Sequence, residues 1–267
     1  MGLELYLDLL SQPCRCVYMF AKKNNISFDF KPVELLKGLN IQEFSNINSL
    51  KKVPMLKDGS FTLGESTAIL LYLSRKYNLH PRVLKELAEE LSGPLMLLFN
   101  RSWSTGEVPE DWKIANVPVS KKGGLVENSK IMQEGQESLG NLVVIPLFTE
   151  KPIPLQKLQK ALDELNNSLK KFTEKFLQDK PFIVGSEISL ADLVAIIEPM
   201  QPVGAGCNNF EGWPKLLAWG SQVEEAVGKE LFQEVHERIL NAQDLRNVQI
   251  DPQMKKEMKP LLLKMLK

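Results

Sequence analysis

Three short segments carry the side chains best placed to do chemistry: Ser11-Gln12-Pro13-Cys14, Lys52-Val53-Pro54 and Glu65-Ser66. Ser11 followed by proline two residues on reads as the start of a helix. A helix N-terminus presents unpaired N–H groups and the positive end of the macrodipole, so a thiolate held there is stabilised. Ser11 supplies a hydroxyl and no thiol, so the sulfur must come from a ligand; the same serine is also accounted for as a plain N-cap. Val53-Pro54 fits a cis proline that turns the Val53 N–H and C=O outward to pair with an extended peptide ligand, and fits equally an ordinary edge-strand proline. Glu65-Ser66 offers a hydroxyl and free amides for a carboxylate and an acid for an ammonium, or else one more N-cap.

Other chemistries are poorly supplied. The 267 residues contain 33 Lys+Arg, 33 Asp+Glu and 2 histidines, a net charge of +0 that argues against a polyanion-binding protein. His80 and His236 stand far apart, and Cys14, Cys16 and Cys207 give neither zinc spacing nor a disulfide framework, so no metal is expected. No apolar run is long enough to span a membrane, and MGLELYLDLL lacks the basic start of a signal peptide, so a cytoplasmic protein is expected. Trp103 and Trp112 lie near lysines, but scattered core or surface aromatics explain them better than nucleic-acid contacts do.

The elements that must position these residues follow from periodicity. Leu3, Leu5 and Leu7 alternate with Glu4, Tyr6 and Asp8 as a strand, and a helix follows over 14–24. Phe28-Asp29-Phe30 opens a second strand, and residues 35–48 are irregular or weakly helical. Val53–Leu56 and Phe61–Leu63 flank Lys57-Asp58-Gly59-Ser60 as a hairpin with an Asp-Gly turn, before a helix from Glu65 to Tyr77. That β-α-β-(α)-β-β-α order is the order of a thioredoxin-like domain, and Ser11 stands where such a domain keeps its redox cysteine.

The C-terminal half reads as all helix. Leu155, Leu158, Ala161, Leu162, Leu165, Leu169, Phe172 and Phe176 recur at helical steps. Ser189-x-x-Asp192 forms a variant capping box, with Ile188 and Leu193 as its hydrophobic staple. Further helices are expected over 216–227, 230–242 and from Asp251-Pro252 onward, the last with Met254, Met258, Leu261, Leu262 and Met265 on one side. Residues 82–141 differ: short helices near 84–91 and 94–104 are expected, then a Gly/Pro-broken stretch without periodicity that packs poorly.

The three chemical segments together suit a ligand with an amino-acid-like end, a central peptide and a thiol, the shape of glutathione. MGLELYLDLLSQPCRCVYMFAKKN, LKKVPMLKDGSFTL, ESTAILLYLSRKY, KFLQDKPFIVGSEISLADLVAI and QPVGAGCNNFEGWPKL resemble a theta-class glutathione transferase over roughly 1–80 and 142–267. The resemblance implies an α/β plus all-α architecture: a thioredoxin-like glutathione-binding domain over 1–80, then a helical domain disrupted in its first helices. It implies that Ser11 hydrogen-bonds the glutathione sulfur, that Val53 and Pro54 with adjacent Lys52 bind the cysteinyl backbone, and that Glu65 and Ser66 hold the γ-glutamyl end. Where the family has a histidine for the glycyl end, this chain reads Lys37-Gly38-Leu39-Asn40, which leaves Asn40 for that contact. The implied activity is conjugation of glutathione, as co-substrate, to small electrophiles by a cytoplasmic homodimer. LKELAEELSGPLMLLFNRSWSTGEVPEDWKIANVPVSKKG instead resembles the start of a retrotransposon reverse-transcriptase region, without its acidic polymerase motif. A foreign segment over 82–141, with 142–267 as the remaining helical domain, leaves open a second expectation, a catalytically impaired glutathione-binding or interaction protein.

Overall fold

The computed structural model of the chain describes residues 2–34, 36–38, 44, 46–48, 52–79, 145, 148–152, 154–204, 210–241 and 249–265. The expected helices near 84–91 and 94–104, the whole segment 82–141, and Asn40, His80 and Cys207 lie outside the described residues.

Strand β1 (Leu3–Leu7) buries Leu3, Leu5 and Leu7 and leaves Glu4 and Tyr6 partly exposed, as its alternation predicts. Helix α1 (Gln12–Lys23) begins after Ser11 with Pro13 in its first turn and closes on Lys22 and Lys23, cations that suit the negative end of the helix dipole. Strand β2 (Asp29–Pro32) runs parallel to β1, and the hairpin β3 (Met55–Asp58) and β4 (Phe61–Gly64) completes a sheet of order β2-β1-β3-β4. Gly59 takes the positive φ of 62° that the tight turn requires, so the Asp-Gly signal marks the turn correctly. Helix α2 (Ser66–Lys76) follows and packs on β3, β4 and α1.

Helix α3 (Leu155–Lys171) runs into a π-helical turn over Phe172–Leu177. Ala161, Leu165, Leu169 and Phe172 are buried as the seam predicts, but Leu155 is 82% exposed, because the stripe outlasts the surface that covers it. Helices α4 (Leu190–Gly204), α5 (Pro214–Val227), α6 (Lys229–Leu240) and α7 (Pro252–Met265) complete the described fold. Helix α4 is the centre of the helical part, with 12 of its 15 residues buried despite Pro199 and Pro202 within it. Gly204 is fixed there by space: a Cβ would meet the Ile239 carbonyl oxygen of α6 at 2.2 Å.

Asp192 ties this part together. It accepts the Ser189 and Ile183 N–H groups at 2.9 Å each, the Ser189 hydroxyl at 2.6 Å and the Trp219 indole N–H at 2.8 Å. The capping box is thus present with one change: Ser189 directs its hydroxyl to the Asp192 carboxylate. Helix α1 packs on α2 to one side and on α4 and α6 to the other, so its run Cys14–Ala21 is buried without a break. That double burial joins the sheet part to the helical part.

Candidate active site

Sheet register brings the expected site segments to one edge. Tyr6 of β1 pairs with Met55 of β3, and Met55 pairs with Gly64 of β4. Residues just beyond that row are Leu7–Ser11 leaving β1, Val53-Pro54 entering β3 and Glu65-Ser66 leaving β4. On the other side of β1, Leu7 faces Pro32, so the turn over 36–38 that follows β2 leaves at the same edge.

Ser11 precedes α1 in an extended conformation and makes no side-chain capping bond. Its N–H donates to the Asp8 carbonyl at 2.8 Å and its carbonyl accepts the Arg15 N–H at 3.0 Å, while its hydroxyl acts to lower the Cys14 thiol pKa against burial. Cys14 is fully buried, and burial pushes its thiol up to about 12, so it stays protonated at neutral pH. Cys16 is pushed up to about 12 by the same cause. The Ser-x-x-Cys sequence is therefore not a redox pair, and a nucleophilic sulfur has to be brought in.

Beneath this turn lies a buried cation. Arg15 is 0% exposed, and its guanidinium donates to the Leu9 and Leu10 carbonyls at 3.0 and 2.9 Å and to Gln201 Oε1 of α4 at 2.6 Å. Burial pulls it down to about 10, which leaves it charged at neutral pH, with Glu198 of α4 the foremost opposing influence. Gln12 donates to Glu198 at 3.0 Å, so α4 grips both ends of the first turn of α1.

The other segments are laid out in turn along the edge. The Val53–Pro54 peptide bond is cis, with Val53 half-buried and Pro54 buried. Lys52 is exposed, and its carbonyl accepts the Asn48 side-chain amide at 2.8 Å. Glu65 is exposed and holds φ at 65°, left-handed backbone that costs a non-glycine residue about 1–3 kcal/mol and that folds retain chiefly at ligand sites. Ser66 begins α2 half-buried, and the Glu65 side chain makes no capping bond to that helix. Among the described residues no group of His, Cys, Asp and Glu could hold a metal ion.

Residues 5–81 match the glutathione S-transferase N-terminal domain model and residues 138–226 the C-terminal domain model. The chain is 47% identical to glutathione S-transferase theta-1 of Gallus gallus over 293 residues, with all of both chains covered. The apo structure of human glutathione S-transferase T1-1 matches at 42% identity, full coverage of both chains and a TM-score of 0.74. A human theta-class enzyme in complex with the glutathione conjugate of 1-menaphthyl sulfate matches at 34% identity, full coverage and a TM-score of 0.76. This chain belongs to the theta-class glutathione S-transferase family.

In this transferase, sequence reasoning missed the layer behind the edge: Arg15, Glu198 and Gln201, together with His236 and Arg238 of α6. His236 is fully buried, its Nδ1 donates to the Phe232 carbonyl at 2.8 Å, and its Nε2 has no partner. Arg238 reaches Asp8 and Glu34. The signal available for Arg15 and Glu198 was a single charge inside an otherwise apolar helical run.

Proposed function

We propose that this chain conjugates glutathione to small electrophiles, with Ser11 donating its hydroxyl hydrogen bond to the glutathione sulfur. The observation that carries this reading is the row Tyr6–Met55–Gly64, which sets the Ser11, Val53-Pro54 and Glu65-Ser66 segments along one edge. A free thiol near ~8.5 is only about 3% ionised at pH 7, and lowering it by about two pH units requires roughly 2.7 kcal/mol. The Ser11 hydroxyl, the amides opening α1 and the buried Arg15 charge together are of that order. Val53 and Pro54, with Lys52 adjacent, take the cysteinyl backbone, Glu65 and Ser66 the γ-glutamyl ammonium and carboxylate, and Asn40 the glycyl end. The thiol proton leaves to solvent, the thiolate forms a carbon–sulfur bond, and the leaving group departs with its electron pair. Proximity of the two reactants supplies the remainder of the acceleration.

Ser11→Ala tests this with 1-menaphthyl sulfate as the electrophile. Losing a hydrogen bond to a charged sulfur, worth roughly 1.5–3 kcal/mol, lowers turnover by about 10- to 100-fold while glutathione binding changes far less. Unchanged turnover removes Ser11 from the mechanism.

The family resemblance also supports a cytoplasmic homodimer; among the described residues no helix is long and apolar enough to cross a membrane. We take 1–80 and 142–267 as the two family domains and 82–141 as a foreign, retrotransposon-like segment. The domain models match 5–81 and 138–226, and the theta-1 relative aligns along the full chain, so the foreign origin rests on the sequence resemblance of 82–141 alone. Sequencing transcripts across both junctions, together with size-exclusion chromatography, tests the segment and the dimer.

A further inference from the structure

Arg238 stands on α6 and reaches two carboxylates that leave the sheet at the site edge. Its Nη1 lies 3.3 Å from Asp8 Oδ1 and its Nη2 3.1 Å from Glu34 Oε1. Asp8 immediately follows β1 and shapes the turn that presents Ser11: Oδ1 accepts the Leu10 N–H at 3.0 Å and its carbonyl accepts the Ser11 N–H at 2.8 Å. Glu34 follows β2 and opens the turn over 36–38 that leads to Asn40, with Lys37 Nζ 2.8 Å from its other oxygen. The same turn is held from beyond α6, because the Asp251 N–H donates to the Leu36 carbonyl at 2.9 Å and Asp251 packs on Gly38. One guanidinium therefore spans the Ser11 turn and the turn leading to the expected glycyl contact. An ammonium has no rigid fork with which to span both carboxylates.

We propose that Arg238 is a positioning residue of the glutathione site, fixing the Ser11 turn against the 36–38 turn and neutralising Asp8 beside the place where the ligand sulfur becomes negative. The proposal rests on the reading of Ser11 as the sulfur-binding residue. The Asp8 side chain is only 3% exposed, so solvent screens its charge weakly, and it lies in the turn that carries Ser11. Cys14 and Arg15 on α1 and Arg238 on α6 face it, and Glu34 with Lys37 lies on the far side of Arg238. Arg238 contacts Asp8 directly and ties the helical part to both turns.

The test compares Arg238→Gln, Arg238→Lys, Asp8→Asn and the Arg238→Gln/Asp8→Asn double variant with the parent enzyme. Two quantities are read: KM for glutathione, and the apparent pKa of the bound thiol from the pH profile of kcat/KM and from thiolate ultraviolet absorbance. Arg238→Gln is expected to raise KM about 3- to 10-fold and to move the thiol pKa up by about half a pH unit, the order of one partly screened charge. Arg238→Lys restores the pKa but not the full KM. In the Asp8→Asn background, where the carboxylate through which Arg238 holds the Ser11 turn is gone, Arg238→Gln raises KM much less. An unmoved thiol pKa in Arg238→Gln, whatever its melting temperature, or an equal rise in KM in both backgrounds, overturns the proposal. Ser11→Ala is assayed alongside: undiminished turnover there refutes the reading beneath, whereas the expected loss in Ser11→Ala with an inert Arg238→Gln refutes this inference alone.

Discussion

His236 gives the molecule a pH-dependent stability whose size follows from its surroundings. The ring is fully buried on α6, lies tilted with its centroid 4.4 Å from that of Phe232 and donates from Nδ1 to the Phe232 carbonyl, so the lone pair sits on unpartnered Nε2. Burial holds its pKa down to about 4 against the ordinary 6.5; the Phe232 hydrogen bond works the other way, and the Arg15 charge adds to the depression. The unfolded chain takes up this proton near 6.5 and the folded chain only near 4, so between them the unfolded state binds more protons. Stability therefore rises with pH through that window and is lost as pH falls through it. A gap of about 2.5 pH units at roughly 1.4 kcal/mol each corresponds to about 3 kcal/mol in full, of which about 2 kcal/mol is lost by pH 5. Urea denaturation at pH 7.5, 6.5, 5.5 and 5.0, run in parallel on the parent and on His236→Phe, isolates this contribution, because carboxylates titrate alike in both. The parent is expected to lose about 2 kcal/mol more than the variant between pH 7.5 and 5.0. Parallel stability curves, or a folded-state imidazole resonance titrating near 6.5 that disappears in His236→Phe, refute the reasoning.

Two further outcomes follow from the same geometry. Glu65→Gln and Ser66→Ala act on a ligand end held equally in ground and transition states, so initial-rate kinetics should show KM for glutathione raised about 3- to 30-fold with kcat nearly constant; an effect confined to kcat refutes that placement. Gly204→Ala drives a methyl group to within 2.2 Å of the Ile239 carbonyl, a backbone atom that no rotamer change can move aside. A loss of about 2–3 kcal/mol in thermal unfolding is expected, and an unchanged melting temperature sinks the close-approach argument.

The parts of the fold legible in the sequence are those set by local periodicity or local chemistry. Alternation places β1, the Asp-Gly turn places the hairpin, and Ser189-x-x-Asp192 places the start of α4. Each of these signals is written within a few residues of the feature it specifies. Leu155 shows the limit: its helical spacing matches the buried members of α3, yet only a neighbouring element can decide how far along the helix the covered face extends.

The site divides along the same line. The proposed Ser11, Val53-Pro54 and Glu65-Ser66 segments stand out in the sequence because each combines a helix or strand boundary with a chemically suited side chain. The charged layer behind them does not, because its members come from α1, α4 and α6 and meet only after those helices pack. A periodicity argument treats Arg15 within CRCVYMFA and Glu198 within LVAIIEPM as isolated solvent-facing charges. Their surroundings argue otherwise: a lone ionised group in an apolar helical run cannot be buried without compensation. Two such groups of opposite sign, on two runs that are both apolar all round, are natural partners for one interface. Both charges do meet at the α1–α4 interface, each bonded to an amide across it, Arg15 to Gln201 and Glu198 to Gln12, and Arg15 places a cation under the Ser11 turn. Arg238 had no such signal, since α6 is amphipathic and its arginine falls on the polar side of the pattern. What singles it out is the arrival of Asp8 and Glu34 from two different strand ends at one guanidinium.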